Sequence, residues 1–119
     1  MSTLDDFIAA RHEGNRAVLE QEHLGIKRFF NLDTAAYRDG ALAAKTKELC
    51  GLVASAVLRC NDCIDYHLVR CVQEGWREPE IVDALNVALL VGGSIVVPHL
   101  RHAVRTLEEL RERRDVELT

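Results

Sequence analysis

The sequence predicts an all-α fold: a bundle of five to six helices forming one domain that self-associates. Three observations carry that expectation. Apolar residues recur at i, i+3 and i+4 through most of the chain. The two prolines, Pro79 and Pro98, both fit helix punctuation. No run of alternating strand-like residues occurs, and no repeat or low-complexity linker divides the 119 residues. The whole chain, 1–119, is therefore taken as a single domain, with residues 1–40 as an N-terminal helical extension and 41–113 carrying the core helices.

The elements follow in order. "LDDFIAARHEGNRAVLEQEH" has helical spacing, with Leu4, Phe7, Ile8 and Val18 among its apolar positions. In "LGIKRFFNLDTAAYRDGAL" the residues Gly25, Asn31, Asp33 and Gly40 predict only a short helical turn between loops. Residues 42–58, "LAAKTKELCGLVASAVL", are apolar on most sides and predict a central helix. "NDCIDYHLVRCVQEG" follows, with Asn61 or Asp62 expected to cap its first turn and Gly75 to stop it. "REPEIVDALNVALLV" carries Pro79 in its first turn and ends at Gly92–Gly93. The last helix, "SIVVPHLRHAVRTLEELRERR", is expected to start at Ser94 and run to Arg114, with Leu100, Ala103, Val104, Leu107 and Leu110 on one face.

Composition narrows the function classes. Hydrophobic residues make up 48 % and charged residues 29 %, which is ordinary for a globular protein. The formal charge of −4 offers no basic stripe for phosphates, so nucleic acid is not expected as a partner. No apolar run reaches the ~18 residues of a membrane span. The N-terminus carries acids where an export signal would carry lysine or arginine, so a cytoplasmic location is expected. Residues 80–97 hold more apolar side chains than one small interior can bury, which predicts a subunit interface.

Chemistry concentrates in "RCNDCIDYH", residues 59–67, which suits a metal clamp, a structural staple or a redox centre. On a helix turning about 100° per residue, Cys63, His67 and Cys71 lie within roughly 60° of Cys60, so all four share a stripe. Cys63 and His67 are i, i+4 neighbours, and His67 is placed to take a proton from Cys63. Cys60 stands at the helix N-terminus, where unpaired amides favour a thiolate. Its i, i+3 spacing to Cys63 sets the α-carbons about 5 Å apart, within disulfide range. A single zinc ion cannot reach both Cys60 and Cys71, about 16 Å apart on one helix, and no second CxxC or HxxxH is present. Cys50 and Cys71 are expected to pack in the core. His99 and His102 are expected at a surface or interface.

"ELCGLVASAVLRCNDCIDYH" resembles the signature of the alkylhydroperoxidase D-like branch of the carboxymuconolactone decarboxylase superfamily: a glutamate twelve residues before a CxxC, then three residues and a histidine. Glu48, Cys60, Cys63 and His67 meet every spacing, and "FFNLDTAAYRDGAL" and "EGWREPEIVDALNVALLVGGSIV" extend the likeness over most of the chain. If the chain folds back around residues 58–60, Glu48 comes level with residues 67–71 and can orient His67. The resemblance implies a thiol peroxidase or disulfide oxidoreductase that needs no cofactor or metal. Cys63 would attack the peroxide and Cys60 would resolve the sulfenic acid, with His67 and Glu48 relaying the proton. It implies a hydroperoxide or a peroxiredoxin disulfide as oxidant, a dihydrolipoamide-like or thioredoxin-like dithiol as reductant, and a homotrimer or homohexamer. The best-studied members carry a histidine where this chain has Asp62, an acid that opposes ionisation of Cys63. The competing reading is a non-catalytic binding or assembly module with structural or metal-binding cysteines.

Overall fold

The computed structural model describes residues 3–113 and 116–118. They form six α-helices: α1 (Thr3–Leu19), α2 (Leu24–Ala36), α3 (Ala44–Val57), α4 (Asn61–Gln73), α5 (Glu78–Gly92) and α6 (Val97–Leu110), with a 3₁₀ turn, Ser94–Val96, leading into α6. No strand occurs among the described residues, so the fold is all-α as the sequence predicts.

The α3–α4 hairpin is the centre. α5 packs on α3, α6 on α4, and α1 lies across α4 and α6. The core is Leu52 and Ala56 from α3, Ile64, Leu68 and Val69 from α4, and Ile81, Leu85 and Ala88 from α5. Val96, Ala103, Leu107 and Leu110 close it on the α6 side, and α1 contributes Leu4. Burying each leucine or isoleucine fully contributes roughly 1.5–3 kcal/mol, which makes these side chains the main apolar contribution to packing the helices.

The turn between α3 and α4 explains how the cysteine pair comes to start a helix. Cys60 N–H donates to Ser55 O at 3.1 Å and Arg59 N–H to Ala56 O at 3.0 Å, the two bonds of a Schellman motif. That motif needs a left-handed residue, and Arg59 supplies it at φ 61° without being glycine. The same pair of bonds ends α4 with Gly75 at φ 93°, where the sequence places a stop. Trp76 then donates its indole N–H to Lys45 O at 2.7 Å, tying the α4–α5 loop to the start of α3.

Three expectations need correction. Residues 24–36 are a full helix, not a short turn. His23 caps it by accepting from the Ile26 amide at 3.3 Å, Gly25 leaves room for that ring, and the small penalties of Asn31 and Asp33 do not break it. Neither Asn61 nor Asp62 caps α4: Cys60 does, its Sγ accepting from Cys63 N–H at 3.3 Å. The last helix starts at Val97 rather than Ser94 and ends at Leu110; the expected end at Arg114 lies outside the described residues.

Replacing Arg59 by glycine should relieve the left-handed backbone and stabilise the protein by about 0.5–1 kcal/mol. Urea unfolding would show a higher midpoint at unchanged slope. A lower midpoint would contradict the turn described here.

Candidate active site

α3 runs antiparallel to α4, and this brings Glu48 opposite His67. His67 Nδ1–H donates to Glu48 Oε1 at 2.9 Å. Both are buried, Glu48 being 2 % exposed and His67 8 %. An isolated carboxylate at that depth would be costly, and a second partner helps: Arg70 Nε lies 3.5 Å from Glu48 Oε2. Arg70 was not singled out from sequence, although it sits one turn beyond His67 on the same face of α4.

The histidine ring is pressed against α3 at Gly51. A Cβ there would lie 2.5 Å from His67 Cε1 and 2.7 Å from Nε2, closer than real contacts allow. The residue one turn after Glu48 must therefore lack a side chain. The segment "ELCG" contains this signal, but it becomes legible only once the partner helix is known.

Cys60 and Cys63 are joined as a disulfide, with their α-carbons 5.3 Å apart, the separation that an i, i+3 pair provides. Cys63 and His67 line one cavity of about 200 Å³ with Arg11, Asp33, Tyr37, Asp62 and Tyr66. Tyr37, at the C-terminal cap of α2, reaches His67 Nε2 with its hydroxyl at 3.4 Å, and the two rings lie 5.4 Å apart. Burial, then the nearby charge of Glu48, pushes the Tyr37 phenol above its ordinary value, so it keeps its proton. Tyr66 is raised for the same two reasons and lies edge-on to His67, with the Arg11 guanidinium 4.4 Å from its ring centre. Next to this cavity is a wider cleft of about 820 Å³, bounded in part by Arg70, Gln73 and the tail residues Val116 and Leu118.

The other flagged residues lie elsewhere. Cys71 is buried, and desolvation pushes its thiol up to about 12, so it stays protonated and inert. Cys50, expected in the core, is exposed instead. It lies two residues past Glu48, about 200° round a helix whose inner face carries Glu48, Leu52 and Ser55. His99 meets Asn61 Oδ1 at 2.8 Å. His102 meets Asp65 at 2.9 Å, and Thr106 donates to the same carboxylate at 2.6 Å, so both histidines bind α4 on the side facing α6. Among the described residues no group of three or more His, Cys, Asp or Glu could hold a metal ion.

An all-helical bundle carrying a closed CxxC disulfide at a helix start, with a buried His–Glu pair behind it, defines the class of protein. The more particular assignment comes from comparison: the carboxymuconolactone decarboxylase family model matches residues 26–109. The chain belongs to that family, as an alkylhydroperoxidase D-like member of the superfamily. It is similar to a Thermotoga maritima protein of the same family, for which a role in an antioxidative response has been suggested. One crystal structure of that protein aligns at 66 % identity and a TM-score of 0.87, covering 90 % of this chain and 94 % of the other. An apo protein of the family from Legionella pneumophila, lpg0406, aligns at 25 % identity and a TM-score of 0.80, over 97 % of this chain and all of that one. "Uncharacterized protein 4 in cox locus" of Paracoccus denitrificans is 29 % identical over 82 residues, 69 % of this chain and 74 % of its own length.

Helix propensity alone would favour alanine over Gly51 by about 1 kcal/mol. The histidine ring reverses the sign: Gly51→Ala should destabilise by about 1–3 kcal/mol through overpacking. Urea denaturation measures this, and a variant more stable than the parent would show that the close approach is not there.

Proposed function

We propose that this chain is a thiol-dependent peroxidase or disulfide oxidoreductase in which Cys60 and Cys63 cycle between dithiol and disulfide. One observation carries the reading: Cys63 shares a small cavity with a histidine whose other nitrogen is held by a buried carboxylate. This is the nucleophile, base and orienter chain of an activated thiol. Cys63 gives its proton to His67, attacks the peroxide as thiolate and becomes a sulfenic acid. Cys60 then displaces water from that sulfur, closing the disulfide. An incoming dithiol attacks Cys60 and restores the pair. Glu48 holds His67 in the tautomer whose Nε2 is free to act, and Arg70 keeps Glu48 in place.

The family membership and the antioxidative role suggested for the Thermotoga maritima protein support the same reading. A small hydroperoxide fits a cavity of this size, with a peroxiredoxin disulfide as the larger alternative oxidant. The reductant is taken to be a dihydrolipoamide-like or thioredoxin-like dithiol. The reading places the protein in the reducing cytoplasm, where a CxxC pair can be reopened. No helix among the described residues is long and apolar enough to cross a membrane.

The reading includes self-association, as a homotrimer or homohexamer. α2 buries none of its residues, and Phe29 and Leu32 are 66 % and 67 % exposed. Leu90 and Val91 on α5 and Ile95 after it are also exposed, and a second copy of this chain is the natural cover.

Peroxide should remove two thiols from the reduced protein, seen by mass spectrometry, and Cys63→Ser should abolish that loss. Persistence of both thiols in the parent would end the peroxidase reading. His67→Gln should move the alkylation profile of Cys63 to higher pH, and an unmoved profile would remove His67 as the base. Light scattering at micromolar concentration should give a multiple of 13.4 kDa, and a monomer mass would refute the assembly.

A further inference from the structure

Glu48 occupies Nδ1 of His67, which leaves Nε2 as the nitrogen that can accept the proton of Cys63. The Tyr37 hydroxyl already stands 3.4 Å from Nε2 and lines the same cavity as Cys63. We propose that Tyr37 is a further catalytic residue, passing the proton from His67 to the departing oxygen of a hydroperoxide. The proposal rests on the thiol-peroxidase reading above.

Tyr37 is held in place by contacts outside the reacting groups. α2 has no buried residue, yet its C-terminal end is clamped. Lys47 Nζ donates to Ala36 O at 2.9 Å and to Arg38 O at 2.8 Å, the carbonyls on either side of Tyr37. Asp39 accepts from the Ala44 amide at 2.7 Å and fixes the following turn to the start of α3. Charged groups that line the same two cavities as Tyr37 include Arg11 from α1, Asp33 from α2, Glu48 from α3, and Asp62 and Arg70 from α4. With a neutral imidazole, the Tyr37 O–H donates to Nε2. With an imidazolium, Nε2–H donates to the tyrosine oxygen, and the O–H is free to point at the substrate.

The step balances. The thiolate of Cys63 attacks the terminal oxygen of ROOH, an S–O bond forms, and the O–O bond breaks with its electron pair going to RO⁻. Tyr37 gives its proton to RO⁻ while its oxygen takes the proton from Nε2. The sum is Cys63–SH plus ROOH giving Cys63–SOH plus ROH, with the sulfur oxidised by two electrons and the peroxide reduced by two. His67 and Tyr37 end as they began.

The test compares three reagents on the reduced protein and on Tyr37→Phe. Hydrogen peroxide expels hydroxide, which needs a proton. Peracetic acid expels acetate and iodoacetamide expels iodide, which do not. Tyr37→Phe should slow the peroxide reaction about a hundredfold and leave the other two within about twofold. Equal slowing with all three reagents would reduce Tyr37 to a packing role and overturn the proposal, as would an unchanged peroxide rate. Parent protein that alkylates normally but ignores peroxide would remove the peroxidase reading itself, and this proposal with it. A folding defect cannot mimic the expected pattern, because it has no means of telling one leaving group from another.

Discussion

The buried ion-pair-like contact between Glu48 and His67 is the constraint on which the rest of the molecule depends. A carboxylate that is 2 % exposed must find partners inside the fold, and it finds two, His67 and Arg70, both on α4. This fixes the register of the α3–α4 hairpin more firmly than apolar packing does. Leucine side chains tolerate a shift of part of a turn, whereas Glu48 would lose His67 and sit unpaired. Gly51 adds a steric condition to the polar one, since the ring can come this close to α3 only where no side chain stands. Polar pairing and close approach select a single alignment of the two helices, and that alignment aims the imidazole at the cavity beside Cys63.

The cysteine pair depends on the same hairpin from its other end. Arg59 in the left-handed region turns the chain sharply enough for Cys60 to end the Schellman motif of α3 and cap α4 at once. Sulfur is a weak hydrogen-bond acceptor, and a serine or aspartate would cap a helix better. A cap chosen for stability would not be cysteine. The position therefore favours a sulfur whose negative form is welcomed by the free amides of the first turn.

Much of this was legible in the sequence because it depends on spacing along one helix. The i, i+3 and i, i+4 relations among Cys60, Cys63 and His67 survive into the structure, and the helix order follows the apolar periodicity. Glu48 is readable from the family spacing, and its place opposite His67 follows once the chain reverses near residues 58–60, which the Schellman turn fulfils. What was missed depends on contacts between helices. Gly51, Arg70 and Tyr37 carry no pattern of their own, and each matters because of a neighbour 16 to 30 residues away in sequence or on the next turn. α2 was underestimated because Gly25, Asn31 and Asp33 looked like loop signals, although glycine there makes room for the capping ring of His23. Residue type and an apolar helix point Cys50 to the core, but the helical phase set by Glu48 and Leu52 turns it outward.

α4 is gripped on both sides. On one, His67 and Arg70 bind α3. On the other, Asp65 is 5 % exposed and accepts from His102 and Thr106 of α6, while Asn61 meets His99. Burial pushes the Asp65 carboxyl above its ordinary value, and the hydrogen bonds from Thr106 and His102 of α6 oppose that rise without cancelling it. No fully buried side-chain nitrogen or oxygen among the described residues lacks a partner. A helix held only by its apolar stripe could roll by some tens of degrees with little loss. With buried carboxylates bonded on opposite flanks, rolling either way breaks one set of hydrogen bonds without improving the other. The first turn of α4, which carries the Cys60–Cys63 disulfide, is thereby held still.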